Sequence, residues 1–355
     1  MWAHGISLPH HVCQGSVMGN VDLPLDELRN FRPVLTTPPD LADFWERTFA
    51  ETRRHPIAAE FRPYDTGLRT VDVFDVSFAG YDGQRVAAWL ILPRAAVGPL
   101  PCVIEYVGYG GGRGLPHEWL GWSAFGYAHL VMDTRGQGSA WRSGVTPDLS
   151  PSGADPHAPG FLTLGLPDRD RYYYRRLIMD ACRAVDAARE HPGVDNERVI
   201  LHGHSQGGAL TVAASVLRGW LLDDPVAGAL SDEPFLAHFR RAAEIADNGP
   251  YPELVTWCST HRDRAEAAFE MLAYFDIAVL APYGVVPALF SVSLRDDICP
   301  PSTVFTAYNR YGENANADKD IRVWEWNEHK GGEAFHRLEQ LSWLTSRAVG
   351  PPAGA

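Results

Sequence analysis

The sequence predicts an α/β protein: a doubly wound, mostly parallel sheet opened by an N-terminal antiparallel hairpin and carrying helical insertions. Three observations carry that prediction. From Cys102 onward the apolar runs are short and continuous, as strands buried on both faces are. Helical patterns lie between several of these runs, which is the alternation of a doubly wound sheet. Upstream, two alternating stretches, Val71 to Phe78 and Arg85 to Leu92, flank Gly80-Tyr81-Asp82-Gly83 and so read as a hairpin.

Taken in order, residues 1–20 read as a flexible leader, because Met1 to Val17 has neither the basic start nor the long apolar centre of a secretory signal. A single domain is expected over 21–346, followed by a tail over 347–355. Val21-Asp22-Leu23-Pro24-Leu25 leads into Pro38-Pro39-Asp40, and Leu41, Phe44, Trp45 and Phe49 then recur at helical spacing, predicting a helix on the outside of the sheet. After the hairpin, the predicted buried strands are Cys102 to Val107, Ala128 to Met132, Val199 to His202, Val226 to Leu230, Ala288 to Val292 and Ile321 to Trp326. Tyr172 to Ala188 has the period of a helix. Thr146 to Asp168 has little periodicity and is long for a connection, while Pro234 to Tyr274 reads as extra helices inserted after a strand.

The 355 residues are 45% apolar, enough for a large core. A formal charge of −13 argues against nucleic acid or an anionic membrane as partner, since both require clustered Lys and Arg. The substrate is expected to be small or neutral. Cys13, Cys102, Cys182, Cys258 and Cys299 are widely spaced with no Cys-x-x-Cys pair, so they read as reduced thiols. No run of about 18 apolar residues is present to cross a bilayer. The expected location is the cytoplasm.

The chemistry is written at Arg198 to Gly208. An apolar strand runs into Gly203-His204-Ser205-Gln206-Gly207 and then into the helix-forming run Ala209 to Leu217. This is the nucleophile elbow of an α/β-hydrolase: a tight strand-to-helix turn, eased by glycines, that lifts a serine hydroxyl out of the sheet's end. A hydroxyl is a poor nucleophile at neutral pH and needs a histidine base and an acid that fixes the imidazole tautomer. In this fold they follow in the order Ser, Asp or Glu, His. His329 comes directly after the last strand and is the expected base; His336, a turn into the next helix, reads as a helix-surface residue. Asp296 and Asp297 follow the strand Ala288 to Val292, and one of them is expected to meet His329. Asp232 competes as acid but reads more simply as a loop or cap residue, and Asp133 as a structural residue paired with Arg135. Two backbone N–H groups should stabilise the oxyanion. One belongs to Gln206; the other comes from Gly108-Tyr109-Gly110-Gly111-Gly112-Arg113-Gly114. That loop lacks the Gly-Lys-Ser/Thr ending of a phosphate-binding loop.

Four segments closely resemble one family, the carbohydrate esterase family 7 acetyl xylan esterases and cephalosporin C deacetylases. They are Gly108 to Gly114, Asp133-Thr134-Arg135-Gly136-Gln137-Gly138-Ser139, Gly203 to Gly208, and Asp296-Asp297-Ile298-Cys299-Pro300-Pro301-Ser302-Thr303. The likeness runs from about Val21 to about Ser346. It implies Ser205 as nucleophile, Asp296 as acid, His329 as base, and the N–H groups of Tyr109 and Gln206 as oxyanion hole. It also implies a homo-hexamer, small acetylated substrates, and peracetate formation when hydrogen peroxide replaces water. No cofactor and no metal are implied, for no His-Glu-x-x-His or clustered ligands are present. Two positions depart from the family: Lys330 stands where a glutamate usually follows the histidine, and His204 where glycine often precedes the serine. Lys330 either points inward, making imidazolium formation harder, or points to solvent and changes little. A peptidase, an esterase of other acyl specificity and a non-catalytic binding protein are the competing readings on this fold.

Overall fold

The computed structural model of the chain describes residues 21–149 and 156–351. The expected leader, Cys13 and the last four residues lie outside the described residues. Nine strands form one sheet: β1 (Glu60–Pro63), β2 (Val71–Ala79), β3 (Arg85–Pro93), β4 (Leu100–Tyr106), β5 (Ala128–Met132), β6 (Val194–His204), β7 (Gly228–Asp232), β8 (Ala288–Ser293) and β9 (Lys319–Trp324). Their order is β1-β2-β3-β5-β4-β6-β7-β8-β9. The pairings of β1 with β2, β2 with β3 and β3 with β5 are antiparallel; every other pairing is parallel.

The eleven helices among the described residues are α1 (Leu25–Asn30), α2 (Leu41–Arg53), α3 (Leu120–Ala124), α4 (Tyr173–Arg189), α5 (Gln206–Leu221), α6 (Phe239–Ile245), α7 (Tyr251–Thr260), α8 (Ala265–Leu272), α9 (Ile277–Leu280), α10 (Pro301–Arg310) and α11 (Glu333–Ser346). They cover both faces of the sheet, and residue parity along each strand decides which face a side chain joins. Cys102 and Ile104 of β4 and Val199 and Leu201 of β6 pack with α4 and α5. Their neighbours Val103 and Ile200 pack with Trp122 of α3 and with Trp343 and Leu344 of α11. Burial on both faces is why these strands read as unbroken apolar runs.

β1 was not anticipated, β4 starts two residues early at Leu100, and three further strands depart from the sequence expectation by two residues or more. β6 starts five residues earlier, because Leu100 pairs with Val194 before a register shift. β7 runs two residues further, to Asp232, since pairing with β6 and β8 takes in polar Ser231 and Asp232, which an apolar run cannot reveal. β9 is Lys319–Trp324 rather than Ile321 to Trp326; it pairs with β8 from Ala288↔Lys319 to Ser293↔Trp324, and Trp326 is left exposed in the loop beyond. The extra helices after a strand are α6, α7 and α8, between β7 and β8.

From β4 the chain steps to β5 on one side and then returns past β4 to β6 on the other. At such a reversal the loops after the two strands diverge to opposite faces and leave a crevice at their carboxyl ends. The loop after β4 and the turn after β6 both open into it.

Candidate active site

Ser205 sits between β6 and α5 with φ 59° and ψ −117°, a backbone that a residue bearing a Cβ adopts at a cost of about 1–3 kcal/mol. Three bonds hold it there: Ser205 N–H donates to the Asp232 carbonyl at 2.8 Å, and the Ser205 carbonyl accepts from Phe235 and Ala209, both at 3.0 Å. The flanking glycines are sterically required. A Cβ on Gly203 would lie 2.4 Å from the carbonyl carbon of Gly207, and one on Gly207 would lie 2.1 Å from the Tyr106 oxygen.

Asp296 is fully buried just past β8, and its Oδ2 lies 2.8 Å from His329 Nδ1. Its Oδ1 accepts from the N–H groups of Ile298 and Cys299 at 2.9 and 2.8 Å. A carboxylate so placed keeps the proton on Nδ1 and leaves the Nε2 lone pair of His329 open to another donor. Asp297 turns away and accepts from Asn248 Nδ2. The Asp296–His329 pair meets the elbow through two neighbours. The Cys299 thiol contacts the Ser205 side chain, and the His204 ring lies 4.6 Å from the His329 ring with Nε2 donating to the His329 carbonyl at 2.5 Å.

Asp296, Cys299 and His329 have donor atoms within 4.8 Å of one another, the spacing of a metal cage. Both Asp296 oxygens are already committed to hydrogen bonds. Burial, and then the charge of Asp296, push the Cys299 thiol well above its usual range, so it stays a neutral, weakly ligating group. The cluster is suited to moving a proton rather than to holding an ion.

Gln206 opens α5, where a first-turn N–H has no partner within its own helix. Among the described residues, neither this N–H nor that of Tyr109 meets an acceptor. The two segments are strapped together by side chains. Gln137 Oε1 accepts from Gly110 N–H at 2.7 Å, Gln137 Nε2 donates to Gln206 Oε1 at 2.9 Å, and Gln206 Nε2 donates to the Val107 carbonyl at 3.1 Å.

Several sequence readings need correction. His336 is buried, not on the helix surface, and its Nε2 lies 2.9 Å from Asp232 Oδ1. Asp232 is no loop or cap residue: it ends β7, and Gln340 and His202 also donate to it. Burial alone would raise its pKa, but the two histidines hold it well below the usual carboxylate range. Asp133 does not pair with Arg135. It accepts from the main-chain N–H groups of Arg113, Val145 and Thr146, while Arg135 grips Asp180 through two bonds of 2.5 and 2.7 Å. Asp133 and Arg135 thus turn to different partners because the loop amides need an acceptor and the guanidinium needs a buried carboxylate. Lys330 is exposed, in keeping with its solvent-facing reading.

The contacts of two residues in this cluster, His204 and Glu233, were not foreseen from the sequence. His204 is held at about 4, first by burial and then by the adjacent His329, so it remains a neutral donor at working pH. Glu233 accepts from Ser291 and Ser293 at 3.0 Å each, and burial followed by the charges of Asp232 and Asp296 raises its pKa well above the usual value.

The acetyl xylan esterase (AXE1) family model matches residues 18–347. The chain belongs to that family. This esterase is 34% identical to an acetyl xylan esterase from Paenibacillus sp. R4, over 91% of its own length and 99% of the other's, with a TM-score of 0.82. It is 27% identical to acetyl xylan esterase 1 from Thermoanaerobacterium sp. JW/SL YS485, over 92% and 99% of the two chains, with a TM-score of 0.80. It is also 26% identical over 324 residues to the acetyl esterase Axe7A of Xylanibacter ruminicola, which spans 88% of this chain and 68% of the relative. The protein is a carboxylic ester hydrolase of the α/β-hydrolase fold that acts on acetyl esters.

Proposed function

We propose that the esterase removes acetyl groups from small, polar, acetylated molecules, foremost acetylated xylo-oligosaccharides, through an acetyl-enzyme on Ser205. The observation that carries this reading is the convergence at one sheet edge of a strained serine, a carboxylate-fixed imidazole and two N–H groups that meet no acceptor among the described residues. His329 Nε2 takes the proton of the Ser205 hydroxyl as its oxygen attacks the acetyl carbonyl. The N–H groups of Tyr109 and Gln206 stabilise the oxyanion, and Asp296 stabilises the imidazolium. The imidazolium returns the proton to the departing sugar hydroxyl; water activated by His329 then releases acetate and restores Ser205. Hydrogen peroxide attacking the same acetyl-enzyme gives peracetic acid, and cephalosporin C is an incidental substrate.

The rest of the reading is a homo-hexamer in the cytoplasm, with no nucleic-acid or membrane partner. The charge of −13 and the four unpaired cysteines among the described residues support it. No helix among the described residues is long and apolar enough to cross a membrane.

Ser205→Ala tests the mechanism. Circular dichroism should match the parent while hydrolysis of acetylated xylobiose disappears, leaving at most about 10³ to 10⁴-fold acceleration over water. Near-normal turnover in that variant, free of parent enzyme, would remove Ser205 from the mechanism. Acetyl, butyryl and octanoyl esters assayed side by side should show activity confined to the shortest chain.

A further inference from the structure

One carboxylate of the inserted helix α7 reaches across to the loop after β4. Glu253 Oε1 accepts from the Tyr109 hydroxyl at 2.6 Å, and its Oε2 accepts from Leu162 N–H at 3.0 Å. The same hydroxyl accepts from Phe161 N–H at 2.5 Å. At Gly160 the chain runs so close to the carboxylate that a Cβ there would lie 2.1 Å from Glu253 Oε1. Three segments distant in sequence therefore meet on one side chain.

We propose that Glu253 is a positioning residue for the oxyanion hole, holding Tyr109 so that its main-chain N–H faces the carbonyl of the bound acetyl ester. The proposal rests on the catalytic reading above. Tyr109 is gripped at three places: its hydroxyl by Glu253 and Phe161 N–H, its carbonyl by Trp141 Nε1 at 2.7 Å, and its ring by Phe161 and Phe235, with centroids 5.9 and 6.1 Å away. A residue whose side chain and carbonyl are both anchored has little freedom left in the two dihedrals that aim its own N–H. Tyr109 otherwise lies in a glycine-rich loop, where backbone freedom is large. An oxyanion donor acts by being aimed before the charge develops, so a small misplacement costs rate.

The chemistry of the contact suits a carboxylate. Two donors, a phenol and an amide N–H, converge on two oxygens, and an ionised carboxylate is a side chain with acceptors alone. Burial pushes the Tyr109 hydroxyl up, with the Glu253 charge adding to it, so the phenol stays a protonated donor.

The test uses the full chain with acetylated xylobiose and with phenylboronic acid, which forms a tetrahedral adduct on a catalytic serine. Glu253→Ala should lower kcat by about 10- to 100-fold with KM within about twofold, less than the 10²–10³ for deleting a donor outright. Boronic acid affinity should fall by a similar factor, and Glu253→Gln, which retains an acceptor for the hydroxyl, should recover most of the loss. Tyr109→Phe should fall like Glu253→Ala, and combining the two should cost less than about twofold more. Unchanged kcat in folded Glu253→Ala, a loss confined to KM, or losses that multiply in the double variant would overturn the proposal. Should Glu253→Ala fail to fold, Glu253→Gln and Tyr109→Phe still decide it. Failure of the underlying reading shows separately, as activity retained in Ser205→Ala.

Discussion

Two consecutive aspartates leave β8 in different directions. Asp296 turns inward to His329 and two main-chain N–H groups; Asp297 turns outward to Asn248. Asp296→Asn should approach the Ser205→Ala loss, because an amide lets the imidazole take the wrong tautomer, and the comparable change in serine proteases costs about 10⁴-fold. Asp297→Asn should stay within roughly tenfold of the parent, about 1.4 kcal/mol of barrier. Steady-state kinetics on the two variants separates them, and the reverse pattern would move the acid to Asp297. The positions proposed for nucleophile and base were readable from local pattern, since Ser205 follows β6 directly and His329 lies in the loop after β9. Choosing between the two aspartates needed the family motif, because both follow the same strand. His204 was invisible as a partner of His329, and Glu233 as a neighbour of His204. These contacts join the tips of β6 and β7 to each other and the tip of β6 to the loop that carries His329, far away in sequence, and no local period encodes that.

At the level of elements, α11 explains the misreading of His336. Its buried side chains are His336, Gln340, Trp343 and Leu344, while Phe335 and Leu338 are exposed. Polar residues face inward in its first half because Asp232 waits there, so a search for an apolar stripe selects the wrong face. His336 and Gln340 are four apart and reach the same carboxylate. Asp232→Ala should therefore destabilise the fold by about 3 kcal/mol, as when one partner of a buried ion pair is removed. A urea titration at neutral pH measures this, and a loss below about 1 kcal/mol would show that the network contributes little. Catalysis in the folded variant should stay within roughly tenfold. The sign with pH follows from the depressed carboxyl: its contribution is present above the ordinary aspartate range and fades as pH falls through the lowered native value. The parallel strands, by contrast, were well placed by sequence, apart from polar strand ends such as Ser231 and Asp232.

For the whole molecule, the proposed hexamer is the property that the chain alone encodes least. Trp326, Phe335 and Leu338 are exposed by 76%, 75% and 61%, apolar surface of the kind that subunit contacts use. Sedimentation should find a particle of six 39.2 kDa chains, and a stable, active monomer would refute the assembly. The sheet order was only partly legible, because which strands neighbour one another is settled by pairings across long stretches of chain. The bond from Glu253 to Tyr109 also bears on how relatives of this chain can diverge. Helices α6 to α8 resemble a cassette that could be exchanged between homologues to alter what is bound. Yet this cassette holds one edge of the reaction chamber, so a foreign insert brings new selectivity at undiminished speed only with an acceptor at the same spot. Divergence in substrate choice is thereby channelled into residues of the insertion other than Glu253.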